Sequence, residues 1–380
     1  MHQGIYKRPV IWRNEDLEEK ILKKTAVFFV VVLAVVCLSM PYFPRLGILS
    51  EELLAAYREY RTKTESERLG MNGIELMEYN NAQAKEAGEN ALSFSSQIRL
   101  ELPLGVSGND LKITEDVVTQ TITIQIPFAG EDYFYEYPVL GRSDHIDSLT
   151  YENKKSYGIV EFITDQVCEL KSEYDEDYVY IDFLTPQELY DKVVVIDAGH
   201  GGDAPGATKQ GICEKDIDLD IVLKIKELFD AAKDPSIGVY YTRTEDVNPG
   251  FENRVGLANK SGADLFISIH NNSTKSGRMS SIHGTQVMYD EKEDETEYGS
   301  KRFAQICLEE VTAAAGSSNK GLVDGNEVYV IGNCKAPAAL IEVGFMTNQA
   351  ELEKLCSKEY QSKVAKGIYQ AVLRAFAEGY

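Results

Sequence analysis

Apolar side chains recur at every second position through the stretch from residue 95 to about residue 190. The alternation is clearest in IRLEL (98–102) and TITIQI (121–126), where each apolar residue has polar neighbours. Turn signals such as GND (108–110) separate these runs. Because a period of two is typical of strands that bury one face, we predict a small all-β, sandwich-like domain over residues 95–190.

From residue 191 onwards, the apolar positions form continuous runs of strand length with helical patterns between several of them. The runs are Val193–Ile196, Val239–Thr242, Leu265–Ile269, Thr285–Tyr289, Val328–Ile331 and Ala338–Val343. A helical pattern extends from Glu214 to Ala231, with Ile217 and Ile221 on its apolar face and Asp218 on the face expected to be solvated. This alternation predicts an α/β domain over residues 191–380, with a mostly parallel, helix-flanked sheet.

An uncharged apolar stretch near the start predicts an N-terminal transmembrane helix at residues 25–43. Lysines just before this stretch place residues 1–24 in the cytoplasm by the positive-inside rule and the remainder of the chain outside it. The alternative is a cleaved signal peptide, but Ser39–Tyr42 offers no small-x-small cleavage site. The charged residues 44–94 are expected to form a helical stalk or linker.

The charge and cysteine content exclude several classes of function. The formal net charge of −22 argues against nucleic-acid binding, which needs a basic face, and requires any membrane attachment to be apolar. Six cysteines occur without a C-x-x-C pair, so they indicate neither a disulfide framework nor a zinc finger. Of these thiols, Cys213 alone is of functional interest, because it lies directly before Glu214.

The stretch VVVIDAGHGGDAPG (193–206) ends a predicted strand in a glycine-rich loop. Its GHGGDA (199–204) satisfies the dinucleotide pattern G-x-G-x-x-A, but such a loop must lead straight into a helix. Here PGAT (205–208) follows, and helical periodicity resumes only near Glu214. A Walker-type Gly-Lys-Ser/Thr is also absent, so no nucleotide is expected.

Two histidines each follow a predicted strand of the α/β domain, which favours a metal site instead. His200 follows VVVID and His270 ends LFISIH. A lone histidine at a strand end is more often structural, but two at the carboxyl ends of strands can converge. Glu214, at the start of its helix, is the natural third ligand. A His/Glu/His set with one open position is typical of catalytic zinc.

A further carboxylate, Glu342, lies inside the apolar run AALIEV (338–343). A buried carboxylate is unfavourable unless it is paired or takes part in chemistry. Both interpretations stay open at this point: a buried ion-pair partner or a catalytic group.

The successive motifs DAGHGGDAPGA, CEKDIDLDI, TRTED with ENRVGLAN, FISIHNN and PAALIEVGFMTN resemble those of zinc-dependent N-acetylmuramoyl-L-alanine amidases. The resemblance runs from about Lys192 to Tyr380, with the motifs in the family's order. It implies Zn²⁺ held by His200, Glu214 and His270, with Glu342 as the catalytic carboxylate. The β-rich segment is more loosely similar to the AMIN-type modules that precede such domains.

The resemblance implies a peptidoglycan hydrolase that cleaves the amide between N-acetylmuramic acid and L-alanine, anchored in the cell membrane with its catalytic domain facing the wall. Two alternatives differ in kind: a catalytically inactive wall-binding or regulatory protein on the same fold, and a metallopeptidase acting on protein. The spare histidine, His283, either lines the cleft or belongs to a loop.

Overall fold

The computed structural model describes residues 70–86, 94–127, 133–291 and 298–380. Within these ranges, no helix combines the length and the apolarity that a membrane span requires. The transmembrane helix predicted at residues 25–43 lies outside the described residues, as does the cytoplasmic segment predicted before it.

The chain divides into two compact units. Unit 2 comprises residues 184–380 together with the short segments 116–120 and 165–169, and unit 1 comprises the other described residues up to 183. The elements from the start of the described chain to residue 184 are α1 (Gly73–Glu86), β1 (Ile98–Glu101), β2 (Lys112–Asp116), β3 (Thr121–Pro127), α2 (Tyr133–Glu136), β4 (Leu140–Gly141), β5 (Ile146–Asn153), β6 (Tyr157–Thr164), β7 (Glu169–Tyr174) and β8 (Tyr178–Leu184).

Unit 1 contains two four-stranded sheets, with strand orders β4-β1-β8-β7 and β2-β3-β6-β5. In β3 the side chains of Ile122, Ile124 and Ile126 are buried, whereas the residues between them are partly exposed. The rings of Phe162 in β6 and Phe183 in β8 contact each other between the two sheets, with centroids 5.0 Å apart. This contact joins the apolar faces of the two sheets.

Helix α1 is packed against the sheets of unit 1, although its sequence falls in the predicted stalk. Met77 is fully buried, and the Asn81 side chain exchanges two hydrogen bonds with the backbone of Gly141. A Cβ at Gly73 would lie 1.8 Å from the carbonyl oxygen of Leu149, so the helix start approaches β5 closely. This part of the chain is therefore an integral element of unit 1.

Unit 2 is built around a six-stranded sheet. Its elements are α3 (Pro186–Leu189), β9 (Lys192–Ala198), β10 (Thr208–Lys209), β11 (Ile212–Cys213), α4 (Glu214–Ala232), β12 (Ile237–Tyr241), α5 (Phe251–Lys260), β13 (Leu265–Asn272), β14 (Thr285–Tyr289), α6 (Ser300–Ala315), β15 (Asn319–Asp324), α7 (Tyr329–Gly332), β16 (Ala338–Phe345), α8 (Gln349–Leu355) and α9 (Lys358–Glu378).

The sheet of unit 2 is mixed, so the prediction of a mostly parallel sheet is corrected. Its order is β12-β9-β13-β16-β14-β15, and β12, β9, β13 and β16 run parallel to one another. Strand β14 pairs antiparallel with β16 and parallel with β15. The link from β13 to β14 contains no helix, so β14 does not return across the sheet in the way that a parallel βαβ unit requires.

Both faces of this sheet are covered, which explains why its strands have continuous apolar runs. Val194 and Ile196 of β9 point into a core shared with α4, α6 and α9. Val193 and Val195 point into a second core, shared with α5 and α7. The fully buried Val167, in the segment 165–169, belongs to this second core, and its N–H donates to the carbonyl of Lys260.

The prediction and the structure differ at two elements that lie between β14 and β16 in the chain. The apolar run Val328–Ile331 was predicted as a strand, but it belongs to the short helix α7, whose N-cap is Val328. The prediction failed because a run of four apolar residues does not distinguish a strand from a buried helical turn. The strand β15 was missed, since NKGLVD is mostly polar and half-exposed at the edge of the sheet.

Candidate active site

The loop after β9 carries His200 in the left-handed region, with φ at 57°. This backbone conformation is uncommon for any residue other than glycine. The glycines around it leave room for side chains: a Cβ at Gly199 would lie 2.4 Å from the ring of His270, and one at Gly206 would lie 2.6 Å from Oε2 of Glu214. The loop continues through the β10–β11 hairpin before α4 begins, unlike a dinucleotide-binding loop.

Three of the residues predicted from sequence meet at this loop. Nε2 of His200 lies 3.2 Å from Oε1 of Glu214, and Nδ1 of His270 lies 3.1 Å from the same oxygen. The two imidazole rings are 4.8 Å apart and nearly perpendicular. The loop after β9, the first residue of α4 and the end of β13 therefore direct two nitrogens and one carboxylate to a single point.

The carboxylate of Glu214 is held in a fixed orientation by the backbone as well. The N–H of Asn271 donates to Oε1 at 2.9 Å, and the N–H of Ala207 donates to Oε2 at 2.7 Å. Burial alone raises the pKa of Glu214, but the hydrogen bonds and charges of His200 and His270 outweigh it and hold that pKa well below its usual range. Glu214 is therefore an anion near neutral pH.

Burial by itself lowers the pKa of the His270 imidazole. Its hydrogen bond to Glu214 and the charge of that carboxylate outweigh the burial, so the pKa of His270 is raised. In the metal-free protein a proton on this imidazole is therefore stabilised by the same oxygen that lies closest to both rings.

Glu342 lies on β16, directly beside His270 of β13 in the sheet register. Its Oε2 atom is buried and has no hydrogen-bond partner within the described part of the chain. Burial raises the pKa of Glu342. The positive charge of His270 lowers this pKa and the negative charge of Glu214 raises it, so that the pKa of Glu342 is about 7. This carboxyl group is therefore poised to gain or lose a proton near neutral pH.

Asp218, which was expected on the solvated face of α4, is instead fully buried beside Glu214. Its Oδ1 accepts a hydrogen bond from the side chain of Asn271 at 2.7 Å, and its Oδ2 has no partner among the described residues. Burial, followed by the charge of Glu214, raises the pKa of Asp218 well above its usual value. A helical pattern alone gave no sign of this, because the partner comes from β13.

A cavity of 590 Å³ opens over these residues. Its polar lining includes all four residues predicted from sequence, and an apolar part lies beside them. The lining residues are Asp197, His200, Ala204, Glu214, Asn248, Gly250, Phe251, Arg254, His270, Asn271, Asn272, Ser273, Met288, Val328, Val330, Leu340 and Glu342. The volume is within the range of small-molecule sites.

The donor set fits a metal ion. Ligand-capable atoms of His200, Glu214, Asp218 and His270 all lie within 4.8 Å of one another. Two imidazole nitrogens and a carboxylate oxygen are typical ligands of divalent transition metals, and the carboxylate supplies the negative charge that such an ion requires. The arrangement can therefore hold a metal ion directly beside the carboxyl group of Glu342.

Two other residues noted in the sequence lie away from this point. His283 is exposed, does not line the cavity, and contacts the carbonyl of Ser281 in its own loop. Cys213 is the N-cap residue of α4 and lies 3.8 Å from Oγ1 of Thr208. His283 thus belongs to a loop, the second of its two interpretations.

Comparison with known proteins is consistent in the region that carries the site. Residues 194–374 match the N-acetylmuramoyl-L-alanine amidase family. The uncharacterised protein YqiI of Bacillus subtilis strain 168 is 35% identical over 181 residues, which cover 48% of this chain and 83% of that protein. The germination-specific N-acetylmuramoyl-L-alanine amidase of the same organism is 31% identical over 205 residues, covering 50% of this chain and 82% of that enzyme.

Among solved structures, the N-acetylmuramoyl-L-alanine amidase from Clostridium difficile 630 is similar at 33% identity and a TM-score of 0.45, with 50% of this chain and 98% of that chain covered. The two Bacillus relatives exceed 30% identity, and this chain covers more than four fifths of each. Together with the match to the family itself, these similarities show that the chain belongs to the N-acetylmuramoyl-L-alanine amidase family.

Proposed function

We propose that this peptidoglycan amidase is a zinc enzyme that cleaves the bond between the lactyl group of N-acetylmuramic acid and L-alanine. The observation that carries the proposal is the convergence of His200, Glu214 and His270 beside the unpartnered carboxyl oxygen of Glu342. All four residues line one cavity. A metal ligand set and a proton carrier are thus in contact with the same space.

His200, Glu214 and His270 are proposed to hold the zinc ion, with the nitrogens that now face Oε1 of Glu214 as the ligating atoms. When bound, zinc supplies a Lewis acid that polarises a carbonyl oxygen and makes a neighbouring water more acidic. Glu214 contributes the anionic ligand because its pKa is held well below the usual range.

Glu342 is proposed to act as general base and then as general acid. Its Oε2 accepts a proton from the attacking water and returns it to the amine nitrogen of L-alanine as that group leaves. A pKa of about 7 suits both steps, since a proton carrier works best when its pKa is near the working pH. The absence of a competing partner at Oε2 among the described residues keeps this oxygen available.

The segments outside the matched region are proposed to bring the enzyme to its substrate. Residues 25–43 would anchor the chain in the cell membrane, with residues 1–24 in the cytoplasm and the catalytic unit facing the wall; their uncharged sequence and preceding lysines support this. The β-rich residues 95–190 would act as an AMIN-like module that binds the wall. Tethering would supply the effective concentration that an acidic protein does not gain from an anionic wall.

The test is digestion of purified peptidoglycan by the full chain, with and without a chelator, followed by mass spectrometry of the products. Free stem peptides that begin with L-alanine should appear, and the chelator should abolish them until zinc is restored. Zinc-loaded protein that binds the wall and releases nothing would support an inactive wall-binding protein. Cleavage of a peptide without a muramoyl group would support a metallopeptidase.

A further inference from the structure

Two buried arginines surround the loop that carries His200. Arg243 is 3% exposed and Arg254 is 2% exposed. Neither belongs to the set of ligands and proton carrier proposed above. Both direct their guanidinium groups at main-chain carbonyl oxygens of the loop and its preceding strand.

Arg243 binds carbonyl oxygens from three separate segments. Its Nε donates to Ala198 at 3.0 Å and its Nη2 to Gly199 at 2.6 Å. The same Nη2 donates to the carbonyl of Lys215 at 2.9 Å, and Nη1 donates to that of Glu245 at 3.3 Å. Because Lys215 directly follows Glu214, this side chain connects the His200 loop to the first turn of α4.

Arg254 makes the corresponding connection to the strands. Its Nη2 donates to the carbonyl oxygen of His200, and its Nη1 donates to the carbonyl of Ala198 and to Oδ1 of Asp197. The other oxygen of Asp197 accepts a hydrogen bond from Ser268 at 2.6 Å. Ser268 lies two residues before His270 on β13, so this chain of contacts runs from one histidine to the strand of the other.

These contacts fix a backbone conformation that the loop would not readily hold alone. His200 has a positive φ, and such conformations persist at functional sites only when the surrounding structure enforces them. The carbonyls of three consecutive residues, 198–200, each accept a hydrogen bond from a guanidinium group. The planar fork of arginine can bridge several acceptors in this way, whereas a lysine provides one compact charge.

We propose that Arg243 and Arg254 are positioning residues that set the distances between the three metal ligands. Arg243 sets the spacing of His200 and Glu214, and Arg254, through Asp197 and Ser268, sets the spacing of His200 and His270. The inference rests on the proposed metal site, and it concerns how tightly the protein binds the metal before any substrate is present.

The experiment measures the zinc affinity of the purified full chain by competition with a chromophoric chelator. Arg243→Lys and Arg254→Lys should each weaken zinc binding by roughly 10–100-fold, the range found when groups that orient metal ligands are lost. Their cobalt-loaded forms should show an altered visible absorption spectrum, since the ligand geometry changes. The matched control is Arg374→Lys, at a half-exposed arginine paired with Glu309 and Glu310 on the surface of the same unit.

A merely structural role gives a different result. In that case the unfolding temperature of the metal-free arginine variants falls, while the zinc affinity and the cobalt spectrum of the folded protein match the wild type; this would overturn the proposal. If the Arg254 variant does not fold, Ser268→Ala decides the role of Arg254, because it removes one contact of Asp197 and leaves both arginines in place. It should weaken zinc binding in the same direction by a smaller factor, and unchanged binding would overturn the link through Arg254.

Failure of the positioning proposal is distinguishable from failure of the proposed function. A wild-type chain that binds no zinc would refute the metal site itself. A wild-type chain that binds zinc, with both arginine variants binding it equally well, would refute the positioning role and leave the site intact.

Discussion

The start of helix α4 and the middle of strand β16 each place one glutamate in the lining of the same cavity, with opposite consequences for its proton. Oε1 of Glu214 faces two histidines and a backbone N–H, and its pKa is held well below the usual range. Oε2 of Glu342 has no partner within the described ranges, and burial raises the pKa of this group to about 7. The amino acid is the same, and the neighbours decide the chemistry.

The difference separates two tasks that a hydrolytic site requires. A permanently ionised carboxylate held by several donors can bind a cation but exchanges no proton near neutral pH. A carboxyl group without a partner can exchange a proton, provided that its desolvation is tolerated by the fold. The roles proposed for the two glutamates follow from this difference, with Glu214 as a metal ligand and Glu342 as the proton carrier.

The largest effect should come from Glu342→Gln in the full chain. The amide retains the shape but accepts no proton, so turnover should fall by roughly 10²–10⁴-fold, the contribution of a positioned general base. Zinc content, measured by atomic absorption, should match the wild type. The exposed Glu353→Gln serves as control and should retain full activity.

A metal-free Glu342→Gln protein would contradict this assignment. It would indicate that Glu342 is a ligand and that the two glutamates have exchanged roles.

The next largest effect is expected for Glu214→Gln, measured as zinc affinity. A neutral amide replaces the anionic ligand, so affinity should fall by more than about 100-fold, since even the outer partners of metal ligands are worth 10–100-fold. Activity should be low after dialysis and partly restored by excess zinc. His270→Ala should lower zinc content and activity together for the same reason.

Retention of zinc through exhaustive dialysis of the Glu214→Gln protein would remove this residue from the ligand set. Activity that does not respond to added zinc would point the same way.

The two carboxylates should also have opposite effects on the stability of the metal-free protein. Between pH 4.5 and about 7 the native state holds a proton on Glu342 that the unfolded chain has lost, so this contribution to the free energy of unfolding declines as pH rises. Glu214, with its lowered pKa, instead contributes stability above its unfolded pKa that is lost on acidification.

Urea unfolding of metal-free wild type and Glu342→Gln from pH 5 to pH 8 tests this. The free energy of unfolding of the glutamine variant should rise relative to that of the wild type as pH increases towards 7, and the difference should level off above that pH at roughly 1–3 kcal/mol, the usual penalty for a buried group without a partner. A pH-independent difference between the two proteins would show that Glu342 is not the group that titrates.

The smallest effect is expected for Asp218→Asn. Burial and Glu214 keep the pKa of Asp218 well above its usual value, so a neutral amide is close to the state that it already occupies. Zinc affinity should change by less than roughly threefold, well below the tenfold that corresponds to one pKa unit of interaction. A loss comparable with that of Glu214→Gln would add Asp218 to the ligands.

The sequence was most informative where local order decides position. Histidines that follow β-branched runs lie at the carboxyl ends of strands, and adjacent parallel strands bring such ends together. This argument predicted that His200 and His270 can converge, with Glu214 added as the natural third ligand. In the structure, a ring nitrogen of each histidine lies within hydrogen-bond distance of Oε1 of Glu214. Their roles, and that of Glu342, remain predictions for the experiments above.

The sequence was least informative where a partner comes from a distant segment. The helical position of Asp218 predicts a solvated side chain, whereas in the structure it is buried against Asn271 of β13, which donates a hydrogen bond to it. Arg243 and Arg254 would be expected at the surface, since charged residues are rarely buried without partners. Their partners are main-chain carbonyls of the loop, which no sequence pattern reveals. The strand β14 was predicted with its observed bounds, but its antiparallel direction was not, because that direction depends on a connection rather than on the residues of the strand.

Unit 2 is made of three separate segments of the chain, and this has a consequence for biosynthesis. Residues 116–120 and 165–169 leave the ribosome before β9, the first strand of the sheet whose second core receives Val167. The side chain of Val167 therefore stays exposed to solvent until the C-terminal half has been translated and can fold around it. The same arrangement limits modular exchange: a catalytic half excised from residue 192 onwards would lack Val167, and a foreign β module joined in its place would have to provide a side chain that fills that position.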